Sequence, residues 1–333
     1  MIVPSLKVRT LSRYTLQIAL ALAVLAFPFV FRAPFVQRMA IIIFLYAALA
    51  GAWNILGGYA GQASLGHAAY FGLGAYASSL MVINGHLNPW FALIAGGLLV
   101  ACIALVLGLL MFRIAPWYFT ITTIALAEVV YAIGLNSEYM GGARGLFLPL
   151  LEESWKNLTF SSKIPFYFVT LVLLCLVTIA THLLAKSRAG YYFRAIRDDA
   201  VAANSLGVEI FGYKLLALVI SAFFSSLAGS IYAQYVMYID PESMFVMAIS
   251  IQIVLVCALG GIGTVWGPII GSVILMPLTE FTRIYMGGGG RAVDLIMYSV
   301  LLLGIAVWQP SGILGWLSGL RRKLTNEVKP WIS

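Results

Sequence analysis

In the stretch GGYAGQASLGHAAYFGLGAY, residues 57–76, a glutamine, a serine and a histidine sit among glycines and alanines in an otherwise apolar region. Gln62, Ser64 and His67 can donate and accept hydrogen bonds, and an imidazole can also carry a proton. Glu128 is the second exception, a carboxylate about 12 residues into an apolar run and so about 18 Å along a helix axis. An acid at that depth is costly, and it marks either a substrate or ion path or a paired structural carboxylate. Such groups suit transient contact with a small solute. Nothing matches G-x-x-x-x-G-K-[ST], H-E-x-x-H or G-x-S-x-G, so motifs for binding nucleotide phosphates, zinc hydrolysis and acyl transfer are absent. His67, His86 and His182 are scattered, and Cys102, Cys175 and Cys257 fall inside apolar runs, so no metal site or disulfide framework is expected and the cysteines read as packing residues.

The elements that must position these residues are membrane helices. Of the 333 residues 62% are hydrophobic and 10% charged, against roughly 45–50% and about 25% in a soluble domain. Continuous apolar runs exclude a β-barrel, because helices satisfy their own backbone groups in lipid. Ten runs are long enough to cross: Tyr14 to Phe31, Phe35 to Leu56, Ala60 to Ile83, Trp90 to Phe112, Trp117 to Leu135, Ile164 to Ala185, Tyr213 to Ile239, Ser243 to Leu259, Val265 to Tyr285 and Ala292 to Trp308. The first leaves through bulky FPFVFRAPF rather than a small-residue cleavage site, so it reads as a retained span. Lys and Arg concentrate on the N-terminal side of the membrane, which places both termini in the cytoplasm. The net charge of +8 is explained by anionic lipid headgroups and requires no nucleic acid. The expected fold is therefore an all-α polytopic membrane protein of about ten transmembrane helices. It divides into a cytoplasmic segment 1–13, a transmembrane domain 14–309 and a cytoplasmic tail 310–333, with a long outer loop at 136–163 and a long inner loop at 186–212.

Helices in lipid pack where small residues let backbones approach. Ala60, Ser64, Ala68 and Gly72 are four apart and predict one smooth ridge; Gly263, Gly267 and Gly271 repeat the device. The density of glycines from Gly57 to Gly66 predicts a break or bend facing a polar path, with Gln62, Ser64 and His67 beside it and Thr120, Thr122 and Thr123 adding hydroxyls to the Glu128 span. Simple hydrogen bonding to a neighbouring helix is the competing role for His67. ILGGYAGQASLG also echoes ALGGIGTVWG, either as an internal repeat or as a coincidence of two glycine-rich turns.

The inner loop, AKSRAGYYFRAIRDDAVAANSLGVEIFGYK, carries the clearest local signal. Asp199 is a good N-cap, Ala200 to Leu206 a short helix, and Gly207 a C′ residue able to take positive φ. Arg197, Asp198 and neighbouring cations keep this element in water, as suits a helix that receives force from a soluble partner.

Here the sequence resembles bacterial ABC importer permeases. Ala202 to Gly207, AANSLG, looks like the Ala-Ala-x-x-x-Gly core of their coupling loop. GGYAGQASLGHAAYFGLGAYAS, YKLLALVISAFFSSLAGSIYAQYVMYIDPESM, LGGIGTVWGPIIGSVI, GRAVDLIMYSVLLL and QPSGILG resemble one branch, the permeases for branched-chain and other hydrophobic amino acids. The likeness runs from about residue 40 to the C-terminus. It implies a heterodimer with a related permease, two cytoplasmic ATPase subunits, an extracytoplasmic substrate-binding protein and a place in the bacterial cytoplasmic (inner) membrane. It implies ATP-driven uptake by alternating access, with ATP and Mg bound by the ATPases and no cofactor on this chain. The coupling role passes to Ala202, Ala203 and Gly207, expected in an ATPase groove; Val201 replaces the usual glutamate. GGARGL, Gly141 to Leu146, resembles the family's GGxxGL pattern, with Arg144 at a position that is often neutral or acidic. Relatives also carry urea, short amides or aromatic acids. An ion-coupled transporter using Glu128, the alternative class, leaves the capped inner helix without a purpose.

Overall fold

The computed structural model describes residues 19, 22–114, 116–285, 296, 300, 304 and 312–315. The expected first crossing enters it in part, with residues 22–30 helical, and the tenth through helical residues 296, 300 and 304. Segment 1–13 and most of the tail from 310 lie outside the described residues.

Helix α1 spans Pro34–Asn54 and continues as a π-helical turn, Ile55–Tyr59. Pro34 suits a first turn because its fixed φ is already helical and the missing N–H has no partner there anyway. There follow α2 (His67–Ile83), α3 (Pro89–Met111), α4 (Pro116–Asn136), α5 (Ile164–Lys186), α6 (Arg188–Asp198), α7 (Ala200–Ser205), α8 (Ile210–Val236), α9 (Pro241–Met244), α10 (Met247–Gly260) and α11 (Gly267–Tyr285). Two short strands, β1 (Leu146–Phe147) and β2 (Tyr238–Ile239), pair antiparallel with Leu146 opposite Ile239. They tie the loop after α4 to the end of α8. Among the described residues, six helical stretches are long and apolar enough to cross a membrane: Pro34–Tyr59, Pro89–Met111, Tyr118–Asn136, Ile164–Lys186, Ile210–Val236 and Pro241–Gly260. The protein is thus an all-helical, polytopic membrane protein.

Helices α1 and α8 form the centre. α2 packs between α3 and α8, α5 and α11 flank α1, and α10 lies on α11. α4 is peripheral, with Tyr118, Ile121, Val129 and Ile133 exposed along it. Close approach depends on missing side chains: a Cβ on Gly229 would stand 1.9 Å from the Phe71 carbonyl oxygen, and one on Gly271 1.9 Å from that of Val256.

Three expectations are corrected. The third crossing does not begin at Ala60, because Gly61 adopts φ +70° and the helix starts only at His67. Ala60 and Ser64 therefore form no ridge with Ala68 and Gly72. On α2, Gly72 leaves room for Phe245, whose ring would lie 2.3 Å from a Cβ there. Gly263, at φ +73°, belongs to the turn before α11, while Gly267 and Gly271 lie on that helix and pack on the backbone of Gly261 and Val256. Finally, Cys102 and Cys175 are exposed on their helices, and Cys257 is the buried one, its thiol directed at the Ala50 carbonyl.

Candidate functional site

Between α1 and α2 the backbone leaves the helix for seven residues, and backbone and side-chain hydrogen bonds together hold that excursion. The π turn shifts the ladder, with Ala60 N donating to Ile55 O at 3.3 Å and Gln62 N to Leu56 O at 3.0 Å. Trp53 Nε1 donates to Ser64 O at 2.7 Å, Thr120 Oγ1 to Ala63 O at 2.8 Å, and Leu65 N to Thr123 Oγ1 at 3.1 Å. Non-helical backbone inside a membrane protein needs such partners, since no bulk water is there to supply them.

Gln62, Ser64 and His67 take part in this fastening. Gln62 Nε2 donates to Ala60 O at 3.2 Å. His67 is fully buried, with Nδ1 3.1 Å from Ser64 Oγ and Nε2 2.7 Å from Ser221 Oγ. Ser221 commits its own proton to Ala52 O at 2.7 Å, so His67 Nε2 must be the donor to Ser221. Nδ1 is then free to accept the Ser64 hydroxyl proton. The result is a directed chain, Ser64 to His67 to Ser221 to Ala52, crossing from the break through α2 and α8 to α1.

The second glycine-rich turn meets the first. Asn54 Nδ2 donates to Thr264 O at 2.8 Å, and its Oδ1 accepts from Gly263 N at 2.8 Å. A Cβ on Gly58 would fall 1.9 Å from the Asn54 amide oxygen. The two echoing sequences are thus corners of two helical hairpins in mutual contact at one end of the bundle.

That end also holds α6 and α7. Arg197 Nη1 donates to Gly58 O at 3.1 Å, while its Nε and Nη2 donate to Asp198 Oδ1 at 3.0 and 2.9 Å. Asp199 Oδ1 accepts from the amides of Val201 and Ala202 at 2.9 and 3.0 Å and so caps α7. Gly207 takes φ +84° after the helix, which ends at Ser205, one residue short of the expected Leu206. Ala202 and Gly207 are exposed, and so are the apolar Val201 and Leu206, the latter at 85%. Ala203, expected to face an ATPase, is instead 3% exposed and turned into its own chain.

Glu128 lies apart from Gln62, Ser64 and His67, exposed on the open face of α4. Of the four expected path residues, Gln62, Ser64 and His67 are buried at the break and Glu128 is exposed on α4. Asn54, Trp53, Thr120 and Thr123 complete the break and were not singled out as its partners; Asn54, an amide inside the apolar run ALAGAWNILGG, was the available signal.

A polytopic bundle with a glycine-rich polar junction at one end and a capped short helix beside it has the architecture of a transport subunit. The family model described as branched-chain amino acid transport system / permease component matches residues 35–320, and the chain belongs to that family. It is accordingly a transport component and not an enzyme. The high-affinity branched-chain amino acid transport system permease protein LivM of Escherichia coli K12 is 28% identical over 94% of this chain and 77% of its own length. LivH of Salmonella typhimurium is 27% identical over 81% and 91% of the two chains. The autoinducer 2 import system permease protein LsrC of Photorhabdus luminescens is 25% identical over 62% and 64%. No solved structure gives a significant match.

Proposed function

We propose that this chain is one translocation subunit of an ATP-driven, binding-protein-dependent importer of branched-chain or other hydrophobic amino acids in a bacterial inner membrane. It crosses the membrane ten times with both termini cytoplasmic. It pairs with a related permease, receives solute from an extracytoplasmic binding protein, and is driven by two ATPase subunits that bind ATP and Mg²⁺; the chain itself holds no cofactor.

The observation that carries this reading is α7. It is a short helix with its own cap that rests on its own chain through Ala203 and, with its C-cap residue, presents Val201 and Leu206 to solvent. Exposed apolar side chains on an otherwise charged loop suit a groove on a soluble partner. ATP binding closes the ATPase pair, α7 follows, and the attached helices α5 and α8 pass a rigid-body shift to the membrane.

The solute path runs between this subunit and its partner, along α4. A carboxylate midway along an exposed transmembrane face is costly against lipid, so the Glu128 face turns toward protein and a polar passage. Gln62, Ser64 and His67 lie behind that path as its support. The resemblance to an autoinducer 2 permease supports a second reading in which the same machine carries a different solute.

The test is uptake of radiolabelled leucine into proteoliposomes holding this chain with its co-purifying subunits, with and without ATP and with binding protein added. Uptake requiring both ATP and binding protein is expected. Uptake by the chain alone without ATP overturns the reading, and ATP hydrolysis stimulated only with another solute moves the assignment of cargo.

A further inference from the structure

We propose that Arg197 is the residue that transmits displacement of α7 into the membrane, by holding the end of α6 to the carbonyl of Gly58 in a slot formed by the two glycine-rich turns. The inference rests on the importer reading above and adds to it a specific mechanical junction.

The slot is built around the guanidinium stem. A Cβ on Gly61 would stand 2.7 Å from Arg197 Cγ, and one on Gly263 2.9 Å from Nη1. Both glycines hold positive φ, so each turn needs glycine for its backbone as well as for the space. Asp198 accepts from two of the guanidinium nitrogens, which orients the fork and leaves Nη1 for Gly58. Arg197 therefore reaches into the permease through Nη1, while its side chain as a whole, paired with Asp198, stays 37% exposed.

What the junction grips has two onward connections. Gly58 belongs to the π turn, and π turns recur at functional sites as single-turn irregularities in α-helices. Beyond it the break is bonded to α4 through Thr120 and Thr123, and α4 carries Glu128. In the other direction Asn54 binds Gly263 and Thr264, the turn that opens α11. Only the residues from Asp198 to Asp199 separate Arg197 from α7, so beside the covalent links to α5 and α8 this guanidinium gives a pull on α7 a short route to α4 and α11. Lysine cannot reproduce this, because it lacks the planar fork that serves Asp198 and Gly58 together.

The test uses the full complex with ATPases and binding protein, comparing wild type with Arg197→Ala, Arg197→Lys and Gly263→Ala. The last keeps the arginine but intrudes on its slot and strains the turn at its positive φ. Expected in all three are retained ATPase subunits and retained ATP hydrolysis, with solute uptake reduced at least ten-fold. Amide hydrogen exchange in segments 57–66 and 261–264 is expected to quicken in the Arg197 variants. Wild-type uptake in Arg197→Ala overturns the proposal, as does loss of the ATPase subunits from that variant, which makes Arg197 a docking contact. A wild-type complex that hydrolyses ATP without moving solute faults the importer reading; the exchange comparison still decides the junction, and unchanged exchange overturns it.

Discussion

His67 on α2 and Ser221 on α8 are joined at 2.7 Å between Nε2 and Oγ, and the proton that Ser221 gives to Ala52 O fixes the direction of the bond. Three helices meet through this one imidazole, which is 0% exposed. Ser221→Ala removes the acceptor and leaves a buried N–H unpaired, at a cost of about 1–2 kcal/mol. The expected result is a lower apparent melting temperature of the purified complex. His67→Ala and Ser221→Ala combined are expected to cost less than the sum of the two single changes, because they remove the same bond.

Gly271 packs directly on the carbonyl of Val256, so Gly271→Val forces α11 away from α10. The yield of monodisperse protein on size-exclusion chromatography is expected to collapse. At Gly304 no described residue lies within 4 Å of an added Cβ, so Gly304→Ala should leave the yield near wild type.

Gly207 separates backbone strain from crowding, because it has φ +84° and no described residue within 4 Å of an added Cβ. Gly207→Val is therefore opposed by the left-handed backbone alone, at about 1–2 kcal/mol, whereas Gly207→Asn is tolerated there. Uptake is expected to uncouple from ATP hydrolysis in the valine variant and to persist in the asparagine variant. Equal uptake in the two would remove this turn from the coupling mechanism.

Leu206 projects from the end of α7 at 85% exposure, an apolar side chain left open by the described residues. Leu206→Asp is expected to release the ATPase subunits during purification while the permease pair stays intact, a result read directly from the band ratio on a gel.

Glu128→Gln keeps the shape of the side chain and removes its charge. Lowered uptake with normal assembly is expected if the acid lines the path between subunits. Normal uptake with a weakened permease pair would assign the carboxylate to the interface itself.

The local features of α7 were legible because local rules produce them. Asp199 caps through its own next amides, and Gly207 takes positive φ, both within one turn of chain. The apolar runs likewise located the long helices to within a few residues, since crossing hydrocarbon demands length and hydropathy. At Gly61 hydropathy failed, although the density of glycines from Gly57 to Gly66 did predict a break there. Hydropathy averaged across residues 60–83 does not register a single residue at φ +70°, and a smooth ridge was expected where the chain leaves the helix.

By itself the sequence determined a polytopic helical membrane protein, the capped inner helix and the family, all of which follow from composition, short-range hydrogen bonding and motif order. Only the tertiary structure decided where the polar groups point. Ala203 turns inward and Glu128 outward, Gln62, Ser64 and His67 spend their hydrogen bonds on a break in the backbone, and Arg197 reaches Gly58. The physical reason is sequence separation: Asn54 and Gly263 are 209 positions apart, His67 and Ser221 154, and Arg197 and Gly58 139. Bonds over such distances depend on how whole helices pack, which no local pattern encodes.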